Sequence, residues 1–479
     1  MSKPNIILIM SDQHRGDFLG VEGNKSLLTV NLDNLAAGGA LFSKAYSTCP
    51  TCIAARRSIL SGQFPRTHGM VGYADNQTWY NPPAIAEVMR DNGYHTYFVG
   101  RDMHQYPKRK RFGYDHMVIY EDYIDWFNRK TGCETGHFSD NTYSDSALYS
   151  YGVMHNDYTA HPWTFDEQLH NTNWTMMQAK NFMRIRDPEK PFFLTISFLA
   201  PHQPFIPPQF YYDRYIRQEL PDPVIGDWAV RPDNDGTGLE ANGVVPGGDT
   251  SMTKVCLEGE LKRNALAGYY GSINHIDDQI RRLIYGINGI DFNNTAVIYT
   301  SDHGEMLGDH YFWRKSLPYE GSARIPFIIR LPDSFGAEKG QRFNEPVCLE
   351  DLMPTILDIA NAPVPGTVEG KSLLPLILGR TRTLDRSYIH IEHAPIHQTL
   401  TDGKIKFIWF VNDGSEQMFD LTKDPKELHD CVNDEKYGEI AALWRNRLIS
   451  ELSGRPEGFV CDDKLIAGRP FPAVRQTVS

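Results

Sequence analysis

Two pairs of polar side chains follow apolar runs that have the length of buried strands. Asp12 and Gln13 end the first such run, and Asp302 and His303 follow a later one. Each pair alone also fits an ordinary turn at a strand end. Because the carboxyl ends of parallel strands meet at one edge of a sheet, we expect all four side chains to converge. Carboxylates, an amide oxygen and an imidazole predict a site for one divalent cation, with Ca²⁺ favoured and Mg²⁺ or Mn²⁺ as alternatives.

A cysteine opens the most distinctive segment of the chain. Cys52 precedes Arg56 by four residues, in a helix-like run that ends at Gly62. A small buried cysteine is one interpretation of such a residue. A redox or zinc role for Cys49 and Cys52 is another, although no second pair or histidine cluster follows at zinc-site spacing.

Strand-like and helix-like segments alternate through the part of the chain that carries these residues. Apolar runs predict strands at 5–10, 96–99, 192–199, 295–300 and 326–330. Helical periodicity or helix-end signals predict helices at 31–39, 53–61, 83–92 and 259–286. Nearly continuous apolar strands between helices predict an α/β fold, in which helices cover both faces of a mostly parallel sheet.

Two long segments interrupt this alternation. Residues 104–186 and 203–258 show little periodicity, which favours binding loops over linkers. Both are rich in aromatic residues that could stack on a sugar or aryl ring of a ligand, or pack in the core, among them Trp126, Trp163, Trp174 and Trp228.

The pattern changes towards the C-terminus. Short strand-like pieces at 387–392, 404–410 and 416–420 precede a helix-like segment at 437–452. We therefore predict a catalytic α/β domain over residues 1–380 and a small α+β subdomain over 381–479, with a short antiparallel sheet and one helix.

Composition excludes several classes of function. The 479 residues carry a formal charge of −12, which argues against nucleic-acid binding. Hydrophobic content of 41% and charged content of 23% are those of a globular protein, and no apolar run is long enough to span a membrane. The chain as given predicts a cytoplasmic protein, whereas a leader removed ahead of residue 1 would point to the periplasm or to export.

The motifs resemble those of type I sulfatases, the formylglycine-dependent family within the alkaline phosphatase superfamily. The resemblance rests on the aspartate that ends the first strand, on Cys-x-Ala-x-Arg at 52–56 and on Ser-Asp-His-Gly-Glu-x-Leu-Gly-Asp-His at 301–310. Further matches lie at 201–204, 313–320, 351–355, 369–375 and 419–427. The resemblance implies an alkaline-phosphatase-like sheet and a metal-dependent, arylsulfatase-like hydrolase of sulfuric esters that releases inorganic sulfate.

The same resemblance implies a modified residue 52. A sulfatase-maturing enzyme would convert Cys52 to formylglycine, and Ala54 is similar to the residue found in substrates of the radical-dependent maturase of anaerobes. The hydrated aldehyde has two hydroxyls. One attacks the sulfur of the ester, and the other later loses its proton to expel sulfate. An oxygen of residue 52 would also complete the metal site.

Five other residues receive roles from the resemblance. Arg56 would hold the modified residue against the metal, and Lys315 would bind a sulfate oxygen and stabilise the leaving oxygen. His202 would act as the general acid for the leaving group and His104 as the base that deprotonates the intermediate. Arg101 stands where the family commonly has a lysine.

Three departures from the commoner sulfatase pattern keep alternatives open. Asp12-Gln13 replaces a pair of aspartates, Asp302-His303 replaces Asp-Asn, and the segment from Gly100 to His104 is one residue longer than usual. The first two variants also occur in phosphonate monoester hydrolases. The alternatives are therefore a phosphonate or phosphate monoester or diester hydrolase, or a catalytically silent sulfatase-like binding protein with unmodified Cys52. The expected substrate is a sulfated small molecule or carbohydrate.

Overall fold

A mostly parallel sheet forms the centre of the molecule. The computed structural model describes residues 3–132, 160–233, 252–286, 289–469 and 471–475. In this part of the chain the sheet has eight strands, numbered in chain order: β1 Asn5–Asp12, β2 Ala40–Phe42, β3 His95–Gly100, β4 His116–Ile119, β5 Phe192–Pro201, β6 Thr295–Ser301, β7 Phe327–Arg330 and β8 Gln341–Phe343. Their order across the sheet is β8-β2-β7-β6-β1-β5-β3-β4.

Strand β1 lies between β5 and β6 and is parallel to both. Strands β3, β4 and β5 are also mutually parallel, whereas β7 runs antiparallel to β6 and β2. The predicted α/β class is confirmed. Its physical basis is visible in β1, where Ile6 to Met10 are at most 1% exposed. A strand covered on both faces needs a continuous apolar sequence.

Helices cover both faces of this sheet. The helices of the described residues, numbered in chain order, are α1 Val30–Ala37, α2 Cys52–Ser61, α3 Pro65–His68, α4 Ile85–Asp91, α5 Tyr120–Thr131, α6 Asn171–Ile185, α7 Gln209–Ile216, α8 Gly259–Tyr285, α9 Glu320–Ala323, α10 Leu352–Ile359, α11 Leu374–Ile377 and α12 Gly438–Leu452.

Alternate residues of β1 belong to two separate cores. Ile6 and Leu8 pack in one core with α2 and α10. Ile7 and Ile9 pack in the other with α6 and α8. Because successive side chains of a strand point to opposite faces, β1 joins the two cores, and it is one of the central strands of the sheet.

A second, antiparallel sheet follows the main one in the chain. Its strands are β9 Ile389–His393, β10 His397–Thr401, β11 Ile405–Phe410 and β12 Glu416–Asp420, paired in that order. Helix α12 packs on this sheet through Trp444 and Leu448, which share a core with Phe407. The small α+β unit was predicted, and the division between residues 380 and 381 stays a prediction. Short strand pairs complete the structure: Ala45–Tyr46 with Val347–Cys348, Met252–Lys254 with Phe312–Arg314, and Val460–Cys461 with Lys464–Leu465.

The interpretation of 104–186 and 203–258 as loops was wrong for much of their described length. The first contains β4, α5 and α6, and the second contains α7. Residues 133–159 and 234–251 of these segments lie outside the described residues. Helix α5 does have helical periodicity, since Tyr120, Tyr123, Ile124 and Phe127 are its buried apolar positions.

Strand β10 was also absent from the predicted elements, because its sequence His-Gln-Thr-Leu-Thr is mostly polar although all five residues are buried. Among the described helices, none is long and apolar enough to cross a membrane.

Candidate active site and metal centre

The predicted ligand residues meet at adjoining ends of β1 and β6. These strands pair in register through Ser11 and Ser301, so the next residues, Asp12 and Asp302, lie side by side. Asp12, Cys52, Asp302 and His303 each offer one ligand atom, and these atoms lie within 4.8 Å of one another. All four residues are buried.

Helix α2 brings Cys52 to this edge. Cys52 is its first residue, and Gly62 ends it with a φ of 65°, a left-handed conformation that glycine adopts without strain. All ten residues of the helix are buried, including Arg56. The amino end of a helix carries a partial positive charge, so residue 52 occupies a favourable place for an anion.

The orientation of the donors suits a cation. Arg56 donates to the Oδ2 atoms of Asp12 and Asp302, at 3.2 and 3.0 Å. The Oδ1 atoms of both carboxylates lie 3.6 Å from Nε2 of His303. Nδ1 of His303 lies 2.9 Å from the carbonyl oxygen of Gly304, which assigns the proton to Nδ1 and leaves a lone pair on Nε2. Electron-pair donors that face one another at this distance repel, and a bound cation would remove that repulsion.

Gln13 lies beside these residues. Its side-chain Nε2 donates to Oε1 of Gln203 at 2.6 Å and to the carboxylate of Glu305. Its Oε1 accepts from Nζ of Lys315 at 3.3 Å. The structure thus brings together all four predicted metal ligands and Cys52.

Lys315 is buried against residue 52. Its Nζ lies 2.9 Å from Sγ of Cys52. Burial would lower the pKa of Lys315, but the neighbouring Cys52 and Asp12 raise it above its usual value, so the ammonium stays charged. Burial, together with Asp12, raises the pKa of the Cys52 thiol to about 12. An unmodified Cys52 would therefore be a neutral thiol at pH 7, which is a poor nucleophile.

Arg101 and His104 flank the carboxylate of Asp12. Nε of Arg101 lies 3.5 Å from Oδ2 of Asp12, and Nη2 of Arg101 lies 3.4 Å from Nε2 of His104. His104 has a φ of 51°, and its backbone N–H donates to Asp102 at 2.7 Å. Burial and the charge of Arg101 lower the pKa of His104 to about 3, so its imidazole is neutral at pH 7.

His202 follows β5 and faces the same centre. Nδ1 of His202 lies 2.7 Å from the carbonyl oxygen of Gln203. Burial and Lys315 hold the pKa of His202 well below its usual value, although Asp12 opposes them. Burial would raise the pKa of Asp12, but the positive charges of Arg56 and Lys315 hold it well below its usual range. Arg56, Arg101 and Cys52 therefore lie within 3.7 Å of the buried Asp12 carboxylate. Lys315, His202 and His104 interact electrostatically with the same carboxylate.

Other residues of the site had no predicted role. Glu305 lies inside the 301–310 motif, and Gln203 lies inside the 201–204 motif, but the sequence does not indicate that both contact Gln13. Tyr73 donates to Asp75 at 2.9 Å and packs on the residues that follow Cys52. The positions of Glu305 and Gln203 inside these motifs could have suggested a role for them, whereas Tyr73 lies in none of the motifs.

The tryptophans proposed as stacking residues are packed in the protein. Trp163 and Trp174 are buried in the same core as β5, and Trp126 packs against that core. Trp228 stacks on Tyr319, with ring centroids 4.9 Å apart. Of the two interpretations, the structure supports packing. Cys49 and Cys52 are not joined in a disulfide, and Cys49 is not part of the ligand cluster.

Comparison with known proteins agrees with the motifs. The sulfatase family model matches residues 4–362, and that of the N-sulphoglucosamine sulphohydrolase C-terminal region matches residues 308–453. The chain is 41% identical over 492 aligned residues to an arylsulfatase of Clostridium perfringens, with 99% of each chain covered. The chain belongs to the sulfatase family.

Solved structures show the same fold. A phosphonate monoester hydrolase of Agrobacterium radiobacter superposes with a TM-score of 0.73 at 22% identity, covering 94% of this chain and 95% of the other. A protein solved in complex with its substrate D-glucosamine-2-N,6-O-disulfate superposes with a TM-score of 0.71 at 21% identity, covering 95% and 99%. With the family and the arylsulfatase relative, the sulfatase fold identifies this protein as a sulfuric ester hydrolase. Sulfatases generally use a divalent cation and formylglycine, and the buried cluster of Asp12, Cys52, Asp302 and His303 could hold such a cation.

Proposed function

We propose that this sulfatase hydrolyses sulfate monoesters with a formylglycine made from Cys52 and one Ca²⁺. One observation carries this proposal: the side chain of Cys52 lies among two carboxylates and an imidazole, and Nζ of Lys315 lies 2.9 Å from its sulfur. A nucleophile at that place would have a metal site on one side and a fixed ammonium on the other. The maturation partner would be an enzyme that oxidises Cys52.

The cation would be held by Asp12, Gln13, Asp302, His303 and an oxygen of the modified residue 52. Four of these five donors are oxygen atoms, which favours Ca²⁺ and keeps Mg²⁺ as a competitor. The imidazole nitrogen keeps Mn²⁺ as another competitor. When bound, the cation would supply a positive charge for the nucleophilic oxygen and the sulfate.

Three cations of the chain itself would bind and orient the reacting groups. Arg56 bridges Asp12 and Asp302 and fixes both carboxylates. Lys315 would bind a sulfate oxygen and stabilise charge on the leaving oxygen. Arg101 is partly exposed beside Asp12, so it would contact the sulfate from the open side of the site.

Two histidines would move protons. Neutral His104 would take the proton of the second hydroxyl of residue 52, so that the C–O bond to sulfate breaks and the aldehyde forms again. His202 would protonate the leaving oxygen. Its lowered pKa means that it needs the negative charge of bound sulfate to hold a proton before it can act as the acid.

The rim of the site supports a polar substrate. Tyr73 is half-buried on Ile53 and Ala54, which directly follow Cys52, and it donates to exposed Asp75. A carboxylate at this place would accept hydrogen bonds from hydroxyl groups of a substrate. We infer that the substrate is a sulfated carbohydrate or a sulfated small molecule with hydroxyl groups near the ester.

The test combines mass and turnover. Intact-protein mass of the purified chain should be about 18 Da below the value for unmodified cysteine, because the thiol becomes an aldehyde. The same sample should hydrolyse 4-nitrophenyl sulfate faster than 4-nitrophenyl phenylphosphonate. An unmodified mass with no turnover would favour a silent binding protein. Faster phosphonate hydrolysis would overturn the substrate class.

A further inference from the structure

Glu305 is a buried carboxylate that touches three parts of the active site. It is 0% exposed. Its Oε2 accepts from Nε2 of Gln13, and its Oε1 accepts the backbone N–H groups of Leu307 and Arg314 at 2.9 and 2.5 Å. One side chain therefore links the end of β1, its own turn and the residue before Lys315.

These contacts fix the orientation of the Gln13 amide. Its NH₂ end faces two acceptors, the carboxylate of Glu305 and Oε1 of Gln203. Its oxygen end faces a donor, Nζ of Lys315, at 3.3 Å. A reversed amide would place oxygen against a carboxylate and NH₂ against an ammonium, so only one orientation satisfies all the partners. This orientation points Oε1 towards the side of the site where Lys315 approaches Cys52.

The hydrogen bond between Glu305 and the backbone of Arg314 holds the segment next to Lys315. Arg314 has a φ of 70°, a left-handed conformation that a residue other than glycine rarely adopts. Its N–H bond to Glu305 holds the backbone next to Lys315, whose Nζ lies 2.9 Å from Cys52. The same carboxylate thus orients a predicted metal ligand and anchors the segment that carries the sulfate-binding lysine.

We propose that Glu305 is a positioning residue that presents Oε1 of Gln13 to the divalent cation. It acts through Gln13 and does not touch the substrate. The inference rests on the proposed metal-dependent function and adds a residue to it. Hydrogen-bond partners of metal ligands commonly change metal affinity 10–100-fold when they are lost.

The experiment measures metal affinity as well as turnover. Full-length protein loaded with Ca²⁺ is titrated with a competing chelator, and the dissociation constant is compared between wild type and Glu305→Gln. Glutamine has nearly the same shape, but it must turn an NH₂ group towards Gln13 or towards the two backbone N–H groups. We expect Ca²⁺ to bind 10–100-fold more weakly. Glu305→Asp, which keeps the charge but is one methylene shorter, should weaken Ca²⁺ binding in the same direction and serves if Glu305→Gln does not fold.

A double variant distinguishes a positioning role of Glu305 from a general disturbance of the site. In Gln13→Ala the amide is gone, so adding Glu305→Gln should weaken Ca²⁺ binding by less than about threefold further, as expected for a residue that acts through its partner. Glu350→Gln is the matched control: Glu350 is also 0% exposed, and it accepts from Thr48 away from the ligand cluster. Its Ca²⁺ affinity should equal that of wild type.

The outcomes distinguish this inference from the proposed function. Wild-type affinity in Glu305→Gln and Glu305→Asp would overturn the positioning role while leaving the metal site intact. An equally large loss in the Gln13→Ala background would also overturn it, because Glu305 would then act by another route. A wild-type protein that binds neither Ca²⁺, Mg²⁺ nor Mn²⁺ would refute the proposed metal site itself.

Discussion

Replacing Lys315 by alanine should slow hydrolysis of alkyl sulfates more than that of aryl sulfates. Lys315 is 4% exposed and charged, and its Nζ lies 2.9 Å from the side chain of residue 52. A unit charge about 4 Å from a full negative charge, at an effective dielectric constant of about 20, is worth about 4 kcal/mol. That energy corresponds to roughly a thousandfold in rate for a leaving group that carries the whole charge.

The leaving group decides how much of this energy is used. A sugar alkoxide concentrates its charge on one oxygen, so Lys315→Ala should reduce kcat about 10²–10³-fold, as for other single charge donors. A nitrophenolate spreads its charge over the ring. If about half of the charge remains near the ammonium, the loss is about 2 kcal/mol, or roughly 30-fold. Loss of sulfate binding should add a similar factor for both substrates.

The assay is steady-state kinetics of wild type and variant on glucosamine 6-sulfate and 4-nitrophenyl sulfate. Lys436→Ala is the control, because Lys436 is exposed on the C-terminal subdomain and pairs with Asp434. Lys315→Arg keeps a positive charge with a different shape and should recover part of the loss on the sugar sulfate. An equal reduction on both substrates would refute the argument, and the leaving oxygen would then depend on His202 alone.

The remaining predictions concern the nucleophile, the metal and acid stability. Cys52→Ala should abolish turnover and leave the circular dichroism spectrum unchanged, and wild-type activity in this variant would disprove the assigned nucleophile. Chelation should remove activity reversibly, and full activity after dialysis against a chelator would contradict the metal requirement. Asp302→Ala should weaken Ca²⁺ binding more than His303→Ala, because the carboxylate carries a charge that a neutral imidazole lacks. Burial and Arg57 lower the pKa of His68 to about 3 in the folded state, whereas an unfolded histidine has a pKa of about 6.5. As the pH drops below about 6.5, His68 therefore binds a proton in the unfolded state but not in the folded state, and the free energy of unfolding falls. At pH 5 the free energy of unfolding should be lower by about 2 kcal/mol because of His68. His68→Gln should therefore reduce the difference between the urea unfolding midpoints at pH 7 and pH 5. If that difference is unchanged, other groups cause the acid sensitivity.

The centre of the site could be predicted because it depends on strand ends. Apolar runs locate β1 and β6, and the residues after them must lie at one edge of a parallel sheet. Asp12 and Asp302 follow from that rule alone. The contacts of Gln13 with Gln203 and Glu305 could not be predicted from that rule. They join residues 190 and 292 positions apart in the chain and depend on the orientation of the Gln13 amide.

Two of the elements missed from the sequence, α6 and β10, have a mostly polar composition. Helix α6 begins Asn-Thr-Asn-Trp-Thr, and strand β10 reads His-Gln-Thr-Leu-Thr, yet most of these side chains are buried. Polar residues can be buried when tertiary partners satisfy them, as Asn173 is satisfied by His275 at 2.7 Å. Local hydrophobic patterns carry no information about such distant partners.

The burial of Cys52 limits the time at which an enzyme can modify it. The thiol is 2% exposed in the finished fold, and the groups that enclose it come from positions 302, 303 and 315, some 250 residues later in synthesis. Any enzyme that oxidises Cys52 must therefore reach it while β6 and the segment after it are still unmade or unfolded. A chain that folds before Cys52 is oxidised keeps an unmodified cysteine in a fully formed site. In the proposed mechanism, each molecule must therefore become catalytically competent before it folds, and a correctly folded preparation would still contain inactive molecules wherever Cys52 stayed unmodified.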